Sequence, residues 1–150
     1  MSELRELYQS TILDHNKKPR NFRVPEQANR RAEGYNPLCG DKVTVFLEVE
    51  DDTVKDVGFQ GSGCAISTAS ASLMTQAVKG RRLEEALALF ERLHELVAGD
   101  TEEEPDLEAL GKLAVFAGVR EFPVRVKCAT LPWHTLRSAV LGVDEVAKTE

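Results

Sequence analysis

The sequence predicts an α+β fold, a small antiparallel sheet packed on one face by several helices. Three observations carry that expectation. Residues 42–60 alternate apolar and polar about a short polar interruption, the mark of a hairpin. Segments before and after it place apolar residues at helical spacing instead. The 150 residues, 42% of them hydrophobic, show no internal repeat or low-complexity tract, which fits one domain over 1–150 with a proper core. Helices grouped after a hairpin, rather than alternating with strands, belong to α+β architectures.

In chain order, Ser2 can cap a first helix reaching about His15, with Leu4, Leu7, Tyr8 and Ile12 on one stripe. Pro19 ends it, 21–30 reads as loop, and a short strand is expected over 30–35. In the strand 42–50, Val43, Val45, Leu47 and Val49 face one way, and Thr44, Phe46, Glu48 and Glu50 the other. Asp51-Asp52 turns the chain into a second strand, 53–60, with Val57 and Phe59 as buried candidates. A helix over 65–79, crowded with Ala and Ser, closes at Gly80. A second, 83–97, turns Leu83, Ala86, Leu87, Phe90, Leu93 and Val97 inward, with Gly99 beyond it. Pro105 can open a short helix through Leu107, Leu110, Leu113 and Phe116, broken at Gly118. Thr130 can cap the last helix, with Pro132 in its first turn and Trp133, Leu136, Val140 and Val143 on its apolar face.

Composition limits the function. A net charge of −6 argues against nucleic acid as a partner. Basic residues cluster at Lys17, Lys18, Arg20, Arg23, Arg30 and Arg31, and at Lys79, Arg81 and Arg82; they read as a solvated face or as a docking patch for an acidic protein. The acidic run 100–108 reads as exposed loop and helix start. No apolar run approaches the ~20 residues of a membrane span. The charged N-terminus is no signal peptide, so a cytoplasmic protein is expected, and three cysteines fit metal or sulfur chemistry better than disulfides.

The chemistry gathers around Tyr35-Asn36-Pro37-Leu38-Cys39-Gly40-Asp41, which sets a thiol and a carboxylate two residues apart in a turn. Cys64 follows Gly61-Ser62-Gly63 at an apparent helix start, and Cys128 precedes another. Thiolates and a carboxylate can hold zinc tetrahedrally. Spacing alone also admits three unrelated buried cysteines, since there is no C-x-x-C pair; the Gly and Pro punctuation around Cys39 and Cys64 favours a shared site. His15 and His134 are poor ligand candidates by position, and no spacing makes His94 one. Neither H-E-x-x-H nor H-x-E with P-C-x-x-C is present, which argues against a zinc hydrolase or deaminase. A purely structural zinc module is disfavoured because at least four amphipathic segments can fold without metal.

Cys39-Gly40-Asp41, Gly61-Ser62-Gly63-Cys64-Ala65-Ile66-Ser67, Ala69-Ser70-Ala71-Ser72-Leu73-Met74 and Lys127-Cys128-Ala129-Thr130-Leu131 resemble the IscU-like iron–sulfur cluster assembly proteins (NifU N-terminal-like), and among them the SufU branch. The likeness runs from His15-Asn16-Lys17-Lys18-Pro19-Arg20-Asn21 to about Val140 and implies a SufE/IscU-like fold. It further implies zinc held by Cys39, Asp41, Cys64 and Cys128, with Arg125 or Lys127 offsetting the anionic ligands. Cys39 then takes persulfide sulfur from a cysteine desulfurase for downstream iron–sulfur assembly machinery, freed from zinc by a replacement ligand that the desulfurase supplies. The alternative it implies is a scaffold carrying a transient [2Fe–2S] cluster on the same residues. Two positions separate the branches. The scaffold branch has a histidine where this chain has Lys127, and a Leu-Pro-Pro-Val-Lys chaperone-docking motif where this chain has Glu121-Phe122-Pro123-Val124-Arg125. The segment from about Phe90 to Val115 resembles an insertion typical of the SufU branch.

Overall fold

A computed structural model describes residues 2–37, 40–98, 110–142 and 147–148. Helix α1 (Ser2–Lys17) ends just short of Pro19, which cannot continue it. The side chains of Ser2, Leu4, Leu7 and Tyr8 lie outside the described residues; Ile12, the remaining member of that stripe, is buried. Strands β1 (Arg30–Asn36), β2 (Asp41–Glu50) and β3 (Thr53–Ser62) form an antiparallel meander. Asp51 and Asp52 both take positive φ, +52° and +59°, the combination a two-residue turn needs to match the twist of its strands. Alternation along β2 buries Asp41, Val43, Val45 and Leu47 on one face, while Thr44, Phe46 and Glu48 on the other are only half-buried.

The helices gather on the buried face. Helix α2 (Ala65–Val78) ends at Lys79, with Gly80 at φ +86°. Helix α3 (Leu83–Ala98) buries Ala86, Leu89, Phe90, Leu93, Leu96 and Val97; Leu83 and Leu87, expected inside, are half-buried at the margin of its inner face. A 3-10 helix (Gly111–Glu121) leads to helix α4 (Pro123–Leu141), which lies across β1 and β2 and against α2. Strand β4 (Ala147–Lys148), not signalled in the sequence, adds to β1 in parallel and gives the order β3-β2-β1-β4. Two residues are too few for a periodic signal. Among the described residues no helix is long and apolar enough to cross a membrane.

Three expectations about the C-terminal third are corrected. The chain passes through Gly118 without a break, because this glycine does not adopt positive φ and the 3-10 run continues to Glu121. The last helix starts at Pro123, not at Thr130: proline's fixed φ suits a first helical turn, where no N–H is needed. Pro132 therefore lies inside the helix, and Thr130 is an interior residue whose hydroxyl turns back to the Lys127 carbonyl at 3.5 Å. The helix stops at Gly142, left-handed at φ +72°, before Val143, which lies outside the described residues with Leu107, Gly99, Pro105 and the 100–108 acidic run.

The Ala/Ser composition of α2 does more than permit close packing. Ser70 Oγ donates to the Ala129 carbonyl of α4 at 2.5 Å, and Ser72 Oγ accepts the Arg20 backbone N–H at 2.8 Å. Ser72 also bonds His15 Nδ1 at 2.7 Å, and Asn21 Nδ2 donates to Thr75 Oγ1 at 3.0 Å. Buried hydroxyls so paired fix α1, the following loop and α4 around α2. On the opposite side, Gly34 lets α4 close on β1. A Cβ there would overlap the Oγ1 of fully buried Thr135, which itself donates to the Leu131 carbonyl at 2.8 Å. Gly34→Ala is expected to cost about 1–3 kcal/mol of stability, the range for overpacking, read as a lower denaturant midpoint at unchanged slope.

Candidate metal centre

Two core-facing columns of the sheet end in polar residues. On β1 the inward positions run Ala32, Gly34, Asn36; on β2 they run Leu47, Val45, Val43, Asp41. Asn36 and Asp41 are paired across the strands, so both polar groups lie at one end of the buried face, 0% and 1% exposed. The end of β3 brings in Gly61-Ser62-Gly63 and then Cys64, which N-caps α2 with extended backbone (φ −72°, ψ 168°). Cys64 Sγ accepts the Ser67 N–H at 3.4 Å, and the Cys64 N–H donates to Asp41 Oδ1 at 2.8 Å. Gly63 is required beside that carboxylate: a Cβ would stand 2.6 Å from Asp41 Oδ1. Cys128 arrives from α4, fully buried as the sixth residue of the helix rather than before it, with Asn36 Nδ2 donating to its Sγ at 3.9 Å.

The ligand atoms of Asp41, Cys64 and Cys128 all lie within 4.8 Å of one another. Cys64 Sγ and Asp41 Oδ2 are 3.7 Å apart. Hydrogen bonding with Cys128 is the largest influence on the Cys64 thiol and brings it down to about 6; burial and the Asp41 charge oppose it, and the Ser67 amide assists. A carboxyl group and a thiol with a lowered pKa thus face each other in a sheltered corner, an arrangement that suits a cation. The oxygen and sulfur donors, held by a strand start, a helix N-terminus and a helix interior, fit a zinc-type site.

Cys39 lies outside the described residues, in the connection between Asn36 and Asp41; Gly40 within it takes φ +72°, as its turn requires, and its N–H donates to the Asn36 carbonyl at 2.8 Å. Arg125 is exposed and Lys127 half-buried, three residues and one residue before Cys128. Phe122 and Val124, flanking the start of α4, are exposed. The histidines are elsewhere. His15 is buried against Ser72, and burial, then the neighbouring Arg20, holds its pKa below the usual value. His94 and His134 pack their rings 5.4 Å apart between α3 and α4, with Phe90 5.2 Å from His134. Several basic residues are engaged in ion pairs: Arg20 with Asp14, Arg31 with Glu33, Arg82 with Glu84, and both Arg23 and Lys79 with Asp56. That is the behaviour of a solvated face.

Sequence reading missed the Asn36 amide and Gly63 as parts of this corner. The signal was present for Asn36: a polar residue on the inward phase of a strand. For Gly63 it was not, since a glycine in a turn does not say what it makes room for.

The profile of the NifU-like N-terminal domain matches residues 7–129. The zinc-dependent sulfurtransferase SufU of Bacillus subtilis strain 168 is 41% identical over 134 residues, 89% of each chain. The iron-sulfur cluster assembly scaffold protein IscU of Streptococcus pyogenes serotype M1 is 40% identical over 140 residues, 93% of this chain and 86% of that one. In the solved structures, FiSufU from Fervidobacterium islandicum AW-1 superposes with a TM-score of 0.82 at 36% identity, covering 90% of this chain and 97% of its own. The motifs around Asp41, Cys64 and Cys128, the fold that brings them together and these likenesses agree, and the chain belongs to the NifU-like N-terminal domain family.

Proposed function

We propose that the protein is a zinc-dependent sulfurtransferase of iron–sulfur cluster assembly, acting in the cytoplasm with a cysteine desulfurase and passing sulfur to downstream assembly machinery. The observation that carries this reading is the meeting of Asp41, Cys64 and Cys128 within 4.8 Å in a chain that resembles a SufU. Cys39, Asp41, Cys64 and Cys128 would hold the metal. Zinc, when bound, keeps thiolates deprotonated and shields them until they are needed. Lys127 and Arg125 contribute positive charge near an anionic ligand set.

Cys39 is the acceptor. Its thiolate attacks the outer sulfur of the desulfurase persulfide; the S–S bond to the desulfurase cysteine breaks, that cysteine leaves as a thiolate, and Cys39 carries the transferred sulfur as a new persulfide. No net oxidant or reductant is consumed in the exchange. A reductant then releases the sulfur as sulfide, so adding the protein to a desulfurase with a reductant should raise sulfide and alanine production together. An unchanged rate would contradict the transfer.

The second reading, a [2Fe–2S] scaffold on the same residues, is favoured by the likeness to the Streptococcus IscU. Lys127 separates the two, because a protonated ammonium cannot ligate iron whereas an imidazole can. Lys127→His is expected to lengthen the lifetime of a reconstituted cluster several-fold and to lower sulfur transfer, followed by cluster absorbance under oxygen-free conditions. Equal lifetimes would remove Lys127 as the discriminating residue.

A further inference from the structure

Asn36 is fully buried on the inward phase of β1, where its neighbours on that face are Ala32 and Gly34. The amide has no place in an apolar column unless it is hydrogen-bonded, because burial otherwise strips its donors and acceptor of water without replacement. The turn that follows does not require it: the Asn36 backbone carbonyl accepts the Gly40 N–H at 2.8 Å, which a residue of any side chain could do. The side-chain Nδ2 reaches Cys128 Sγ at 3.9 Å across 92 residues of sequence. Cys128 itself sits four residues before Pro132, so the helical N–H that would otherwise meet its carbonyl is missing at this turn of α4. An orienting group from β1 acts at the turn where Pro132 removes one rung of the helix's own ladder.

We propose that Asn36 is a positioning residue for the metal-bound form: its amide N–H donates to the Cys128 thiolate, fixes the direction of that sulfur toward Asp41 and Cys64, and withdraws charge from it. Donors to ligand atoms tune both affinity and the electronic character of the metal–sulfur bond. This rests on the metal reading above and extends it to a residue that no ligand pattern would select.

The test uses Co(II) as a spectroscopic stand-in for zinc in the full chain. Asn36→Leu keeps the branching at Cγ and removes the donor; Asn36→Ala removes it with less steric demand and serves where leucine does not fold. Far-UV circular dichroism of the metal-free proteins establishes folding. Loss of the N–H···S bond raises the energy of the sulfur lone pair, so the thiolate-to-Co(II) charge-transfer band is expected to move to longer wavelength. Zinc affinity, measured by chelator competition, is expected to fall about 10- to 100-fold. A purely structural role for Asn36 would leave the band of the folded variant where the parent has it. A folded variant with the parent's band position and zinc affinity overturns the proposal and leaves the metal site standing. A parent protein that gives no thiolate–Co(II) band overturns both.

Discussion

Cys39→Ser protein is expected to fold, to retain part of its zinc, and to leave a cysteine desulfurase at its unassisted rate. Serine differs from cysteine at one atom, so circular dichroism should be unchanged. Three proposed ligands, Asp41, Cys64 and Cys128, remain, and their donor atoms converge within 4.8 Å. The hydroxyl, however, is a far weaker nucleophile than a thiolate at neutral pH and has no adjacent base assigned to it. The stimulation seen with the parent should therefore vanish, and mass spectrometry of the parent should find the added sulfur on Cys39. Full stimulation by the serine variant, or a persulfide found only on Cys128, would make the protein a passive scaffold or an allosteric partner.

Cys128→Ala and Asp41→Ala are expected to lose metal. A four-ligand zinc site contributes ~10–16 kcal/mol of apparent binding free energy, so removing one ligand takes away about 3 kcal/mol, or about 100-fold in affinity. The two variants differ in what they leave behind. Without Cys128, the Asn36 amide loses its sulfur, and the hydrogen bond that most strongly lowers the Cys64 pKa is gone. The Cys64 thiol should then titrate above about 6 in the metal-free variant, which its thiolate absorbance would register. Without Asp41, the Cys64 backbone N–H loses its acceptor at the helix start, while the charge that opposes the Cys64 thiolate is removed. A zinc affinity equal to the parent's in both variants, measured by chelator competition, would rule out the proposed ligand set.

Much of this arrangement was legible in the residues, for reasons that can be named. The hairpin of β2 and β3 followed from strict alternation, and the turn between them from two aspartates that tolerate positive φ. Cys64 was placed at a helix start by the glycines before it. Cys128 was not placed correctly, because threonine at 130 is a strong N-cap type and proline at 132 reads as a first-turn residue; Pro123 carries the same proline signal nine residues earlier and is the one the chain uses. The difference has a chemical consequence, since a thiol inside a helix packed on a sheet is held more firmly than one in a loop. The serines of α2 read as small residues allowing close approach, whereas Ser70 and Ser72 hold specific partners in α4, α1 and the loop beyond it. Polar pairing over more than fifty residues leaves no periodic trace, and only the folded chain reveals it.

The zinc and acid-labile sulfide content of protein purified without oxygen tests the central claim most directly. The account predicts close to one zinc per chain with neither iron nor sulfide. Iron and sulfide in equal amounts, with zinc absent, would contradict it and make the same residues a cluster scaffold.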